Sequence, residues 1–235
     1  MRMLIRTSLF FALLVPLFLP AEVGQAGPPA QMQTKLTLDK TGTAVLIMDY
    51  QNDIVKILPE KEQAPLLENA SAILQAARQA AIPVIYVVVR FREGYPEISP
   101  RNRLFNSLKE SGRLREGTPG ADIHARVAAQ PGDIVVAKRR VGAFSTTDLE
   151  TILRAKNIST LVMFGIATSG VVLSTVRWAA DMDYRIVVVS DACADRSEEV
   201  HRVLTEKVFP GQAEVVTARE LLNAIGKKGA IPEGK

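Results

Sequence analysis

Two charged residues stand where charge is hardest to accommodate. Asp49 closes the apolar run "TAVLIMD" (43–49), and Lys138 closes "DIVVAK" (133–138). A carboxylate or an ammonium group at the end of a buried strand is costly unless it is paired or hydrogen-bonded. If folding brings the two together, each keeps the other charged, and the pair can relay a proton. The same two residues also fit a structural ion pair capping two strands. Spacing alone leaves both readings open.

A third feature is the turn "FGIATSGVV" (164–172), where an apolar run gives way to small residues and then to a helical pattern. Gly165 and Gly170 have the spacing of a phosphate-binding loop. The Lys and Ser/Thr such a loop needs are replaced by Val171 and Val172, and no dinucleotide-type glycine pattern occurs elsewhere. The turn therefore offers the free N–H groups of a helix start, which suit an anion or oxyanion, or it is a tight connection that uses glycine for geometry. Thr168 and Ser169 carry hydroxyls there, but no base is evident beside them. In "DYQND", Gln51, Asn52 and Asp53 follow Asp49. They read as turn residues, with Gln51 and Asn52 placed to orient Asp49. Cys193, in "SDACAD", reads as a small buried filler before a nucleophile. His124 and His201 read as ordinary polar residues, and two His with one Cys are too few for a usual His/Cys metal site.

These residues need a scaffold. Continuous apolar runs at 43–49, 84–89, 133–138, 159–165 and 185–191, with a shorter one at 213–217, predict six strands buried on both faces. Helical periodicity at 62–81, 146–157, 169–183, 197–209 and 218–225 falls between them. That alternation predicts an α/β fold: a three-layer α/β/α arrangement around a six-stranded parallel sheet, of Rossmann-like type. Ligands of such sheets bind beyond the C-terminal strand ends, where Asp49, Arg90, Lys138, the 165–170 turn and Asp191 lie. Residues 91–132 are rich in Gly, Pro and charge and read as a long functional excursion with a short helix near 101–111.

The start of the chain has the order of a secretory signal peptide. Arg2 and Arg6 precede the apolar stretch "LFFALLVPLFLPA" (9–21), and small residues follow. Cleavage after Ala26 would place Gly24 and Ala26 at the two small-residue sites. Residues 1–26 are thus expected to be a leader, 27–42 a flexible lead-in, 43–226 the folded domain and 227–235 a frayed tail. Export to the periplasm or beyond follows. An uncleaved anchor is the alternative, although the run is short for a span and Pro16 and Pro20 interrupt it. The net charge of +4 is mild and its Lys and Arg are scattered, apart from Lys138-Arg139-Arg140. No nucleic-acid stripe is read from it, and no membrane association is expected once the leader is removed.

The blocks "AVLIMDYQNDIV", "VVAKRRVGAFSTTDLETIL" and "LVMFGIATSGVVLSTVRWAADMDYRIVVVSDACAD" together resemble the isochorismatase-like (cysteine hydrolase) family. The resemblance implies the six-stranded parallel fold and hydrolysis of small amides or of a vinyl ether, in chains that form dimers or tetramers. It also implies roles. Asp49 matches the family's Asp and Lys138 its Lys. The turn pattern G-x-x-T-x-x-C-V runs from Gly165 to Val172, so the nucleophilic Cys position is Val171. Ala167, Thr168, Ser169 and Gly170 fall on the oxyanion or substrate-binding turn, with a cis peptide implied at Ile166–Ala167 and oxyanion N–H groups at Ala167 and Val171. Thiolate attack cannot occur at Val171. Isochorismatases also lack the Cys, with Gly in its place; there the Asp protonates the vinyl ether and water adds. The zinc-binding nicotinamidase subset needs a His after the first strand, and none lies between 27 and 123. No cofactor or metal is expected. The chain therefore reads as an exported hydrolase of a small-molecule substrate, a homodimer or homotetramer, working through Asp49 and Lys138 without a thiol. The alternative is a binding or structural protein that kept the fold.

Overall fold

The computed structural model describes residues 36–226. The expected leader (1–26), the first part of the lead-in and the tail (227–235) lie outside the described residues. In chain order the main elements are β1 (Thr43–Met48), α1 (Asn52–Val55), α2 (Glu60–Gln79), β2 (Val84–Val89), α3 (Arg103–Ser111), β3 (Ile134–Lys138) and α4 (Leu149–Ala155). They continue with β4 (Thr160–Gly165), α5 (Leu173–Asp181), β5 (Arg185–Val189), α6 (Glu198–Val203), β6 (Glu214–Val216) and α7 (Ala218–Gly226).

The six strands form one sheet in the order β3-β2-β1-β4-β5-β6. Every neighbouring pair is parallel. Every residue of β1, β2 and β4 is buried, because both faces of the central strands are covered. The edges differ: β3 alternates buried and exposed toward its end, and β6 is only partly covered. Helix α2 turns Leu66, Leu67, Ala70, Ile73, Leu74 and Ala77 inward at three- and four-residue spacing, which is why it lies flat on the sheet.

The strand order reverses between β1 and β4. From β1 the chain adds β2 and then β3 on one side; from β4 it adds β5 and β6 on the other. The connections leaving β1 and β4 diverge there, at the C-terminal strand ends where sheets of this kind bind their ligands. Asp49 follows β1, and the 165–172 turn follows β4, so the fold brings both to this switch point.

Several boundaries differ from the sequence expectation. Strand β1 stops at Met48 because Asp49 takes φ +60°, outside the extended region. The helix expected over 169–183 begins one residue earlier as a wide π-helical turn, Thr168–Val172, and becomes α5. That expected over 197–209 is α6 followed by a second wide turn, Leu204–Val208. The four-residue α1 is too short to leave a periodic signal. The described part of the lead-in is packed: Leu36 and Leu38 are buried, and the Thr37 carbonyl accepts a bond from Arg185 Nη1 at 2.8 Å.

The 91–132 excursion is held together by its own aromatics and one internal bridge, and a second single bridge ties it to the domain. Phe91 packs against Tyr95 and Phe105, with ring centroids 5.8 and 5.3 Å apart. Phe91 also bridges to Arg115, and Gln51 bridges to Ile123.

Candidate active site at the sheet switch point

Strand register sets the first part of the site. Met48 pairs with Gly165 across β1 and β4, and Val89 pairs with Lys138 across β2 and β3. Asp49 and Lys138 therefore end strands flanking β2. Lys138 Nζ reaches over to 2.8 Å from Asp49 Oδ2 and donates a second bond to the Arg140 carbonyl at 3.1 Å. Both side chains are almost fully buried, at 2% exposure for Lys138 and 7% for Asp49. Burial pushes the Asp49 carboxyl up from its usual range; the Lys138 ammonium opposes this without cancelling it. Asp49 Oδ1 is buried with no hydrogen-bond partner among the described residues. The pair thus leaves one carboxyl oxygen fixed by a cation and the other available.

Gln51 and Asn52, expected to orient Asp49, make no side-chain hydrogen bond to it among the described residues. Buried Gln51 instead accepts from Val89 N–H at 2.8 Å and donates to the carbonyls of Val89 (2.9 Å) and Ala121 (2.7 Å). It therefore terminates β2 and fixes the excursion to the strand end. Asn52 Nδ2 donates to the Pro119 carbonyl at 2.7 Å and serves the same loop. Their contribution to Asp49 is indirect, through the backbone on either side.

The turn after β4 forms the second wall. A cis peptide joins Ile166 to Ala167. The Thr168 N–H donates to the Ala194 carbonyl (2.8 Å), the Ser169 N–H to Asp195 Oδ2 (2.7 Å) and the Gly170 N–H to the Ala167 carbonyl (3.1 Å). These three donors are taken. The Ala167 N–H has no hydrogen-bond partner among the described residues and is open to an anion. Gly165 is required here: a Cβ would lie 2.8 Å from the Met48 carbonyl oxygen and 3.2 Å from Val171 Cγ1. Val171 is buried against that strand end, and its carbonyl accepts from Thr175 Oγ1 at 2.6 Å. Thr175 Oγ1 also accepts from the Ala143 N–H at 3.2 Å, which ties α5 to the segment following Lys138.

One contact of this turn had no signal in the sequence. Thr168 Oγ1 lies 2.8 Å from Nδ1 of His201, 33 residues away. No spacing rule links a turn hydroxyl to a helix residue across an intervening strand. Cys193 is buried, and burial pushes its thiol up to about 12, with the Gly165 backbone opposing weakly. It is a protonated packing group. Among the described residues no set of three or more His, Cys, Asp or Glu is gathered to hold a metal ion.

Comparison with known proteins matches this geometry to a family. Residues 43–220 match the profile described as the isochorismatase domain. The ureidoacrylate amidohydrolase of Methylobacterium radiotolerans is 31% identical over 222 residues, covering 85% of each chain. A protein from Arabidopsis thaliana named a probable inactive nicotinamidase is 29% identical over 164 residues, covering 68% of this chain and 84% of its own. An isochorismatase-family structure from Burkholderia thailandensis superposes with a TM-score of 0.68 at 28% identity, covering 83% of this chain and all of that one.

Proposed function

We propose, from the premise that this chain belongs to the isochorismatase family of hydrolases, that it hydrolyses a small amide or vinyl ether outside the cytoplasm without a thiol nucleophile. The observation that carries this reading is the state of Asp49. One oxygen is held by Lys138 at 2.8 Å, and the other is buried and unpartnered. A carboxyl whose proton affinity is raised by burial holds a proton at a pH where an exposed one has lost it.

For a vinyl ether, Asp49 Oδ1 delivers its proton to the terminal alkene carbon. Water adds to the resulting oxocarbenium carbon and returns a proton to Asp49, and the hemiketal breaks into a carbonyl compound and an alcohol. For an amide, ionised Asp49 takes a proton from the attacking water and gives it to the leaving amine. In that case the Ala167 N–H holds the oxyanion. Lys138 keeps Oδ2 fixed in both. Val171 occupies the position of the family's nucleophile, so no acyl-thioester forms. The leader motif at 1–26 supports export, and the family resemblance supports a dimer or tetramer.

A second reading has its own support. Val171 is a buried β-branched residue against the strand end, where a substrate carbon would have to approach. This favours a binding protein that kept the fold. Purified protein screened against small amides and vinyl ethers separates the two. Turnover that is abolished by Asp49→Asn supports the hydrolase; turnover that survives it overturns the role given to Asp49. No turnover, with ligand-induced thermal stabilisation, supports the binding protein.

A further inference from the structure

The 194–201 segment grips the turn after β4 at four points. The Ala194 N–H donates to the Gly165 carbonyl at 3.3 Å, and the Ala194 carbonyl accepts from the Thr168 N–H at 2.8 Å. Asp195 Oδ2 accepts from the Ser169 N–H at 2.7 Å, and His201 Nδ1 meets Thr168 Oγ1 at 2.8 Å. The grip flanks the peptide that carries the Ala167 N–H, a donor without a partner among the described residues.

The last contact has a defined sense. Thr168 is fully buried, and Nδ1 is the only partner of its hydroxyl among the described residues. A buried O–H without an acceptor costs on the order of 1–3 kcal/mol, so the hydroxyl donates and Nδ1 accepts. The imidazole is then neutral, with its own hydrogen on Nε2. His201 also lines a surface cleft of about 290 Å³ between α2 and the 191–201 segment. The titratable groups of that cleft are Lys61 and Glu62 from α2, Asp191 and Cys193 from the turn after β5, and Asp195 and Glu198. Burial holds the ring below its usual protonation range, against the pull of Asp195 and Glu198.

We propose that His201 is a positioning residue for this site: as a neutral acceptor it holds Thr168, and through it the peptide that presents the Ala167 N–H, and it lets go when the ring takes a second proton. Protonation puts a hydrogen on Nδ1, which can no longer accept from the Thr168 hydroxyl. The hydroxyl oxygen can then only accept from Nδ1–H, which leaves its own hydrogen buried without an acceptor, while the imidazolium is drawn toward Asp195 and Glu198. The proton comes from the cleft, so the turn senses solvent pH through a side chain that does not touch the reacting atoms. The inference rests on Ala167 as the anion donor, but its test needs no substrate.

The test is an NMR titration of the ¹⁵N-labelled protein from pH 7.5 to 5. At neutral pH the His201 Nδ1 resonance is expected at the unprotonated position. On acidification the Ala167 and Thr168 amides should move in step with the ring. In His201→Asn, whose Oδ1 can accept but does not titrate, both amides should stay at their neutral-pH positions throughout. In His201→Phe, which lacks the acceptor, they should be displaced at every pH. A hydrogen on Nδ1 at neutral pH, or a ring that titrates while the Ala167 amide stays still, overturns the proposal. If His201→Phe does not fold, the wild-type and His201→Asn titrations decide the matter alone. Turnover that survives Asp49→Asn overturns the hydrolase reading, and it does not bear on whether the Ala167 and Thr168 amides follow the His201 ring.

Discussion

Lys138 Nζ sits 2.8 Å from Asp49 Oδ2, while Asp49 Oδ1, in the same carboxyl, is buried and without a partner. The two oxygens of one side chain therefore have different work. The asymmetry arises in the backbone. Asp49 leaves β1 at φ +60°, a conformation that Asp tolerates better than most residues. Lys138 continues β3 to its end and reaches across β2.

Removing the cation should destabilise the domain in a pH-dependent way. Lys138→Met leaves Asp49 buried and unpaired, which is expected to cost about 3–5 kcal/mol at neutral pH. Burial already raises Asp49, and Lys138 is the largest opposing influence, so its loss raises Asp49 further. A carboxyl whose folded proton affinity exceeds its unfolded value gives its stability fully below the unfolded value, 3.8, and loses it as pH rises through the folded one. Urea melts of Lys138→Met should therefore approach wild type on acidification and separate from it as pH rises. A constant difference from pH 4 to 8 would contradict the assignment.

Val171→Cys should restore a thiol at the turn with little structural cost. The change removes one methyl packed near Gly165, a loss of about 1 kcal/mol. If the remaining groups form a working hydrolase site, the introduced sulfur should yield a covalent acyl adduct with a small amide substrate, visible as a mass increase on intact protein. A variant that folds like wild type and forms no adduct with a broad amide panel would count against that machinery.

Cys193 should be inert in the folded chain. It is buried, and its thiol is pushed up to about 12. Because thiolate is the reactive form, alkylation by iodoacetamide at pH 8 should be at least about tenfold slower in native protein than in urea. Equal rates would show that Cys193 is accessible and would reopen it as a nucleophile.

Acid should weaken the fold through its two histidines. Burial lowers both His201 and His124, and Arg126 adds to the effect at His124. A His whose folded value is depressed binds its proton later than the unfolded chain does. It contributes stability above 6.5, and that stability is lost as pH falls through the folded value. The midpoint temperature should fall between pH 7 and 5, and His201→Asn should flatten part of that slope. A slope unchanged in His201→Asn would remove His201 from this effect.

Much of this was legible in the chain. Apolar runs buried on both faces announce a parallel sheet, because only a sheet covered on both sides lets a strand be apolar at every position, as β1, β2 and β4 are. Asp49 and Lys138 stood out because a charge ending such a run needs a partner, and that need is local. The turn from Gly165 to Val172 was visible through its small residues and its missing lysine.

Tertiary structure alone decided what those residues touch. Gln51 lies two positions from Asp49, yet it bonds Val89 and Ala121 instead. Asp49 and Lys138 are far apart in sequence and meet because β2 lies between their strands. His201 looked like an ordinary helical residue until the wide turn before α5 and the approach of α6 set its Nδ1 against Thr168. Periodicity records which face of an element is buried, because hydrophobic burial depends on local composition. Hydrogen bonds and ion pairs depend on distances of a few ångströms between elements, and only the packed sheet fixes those.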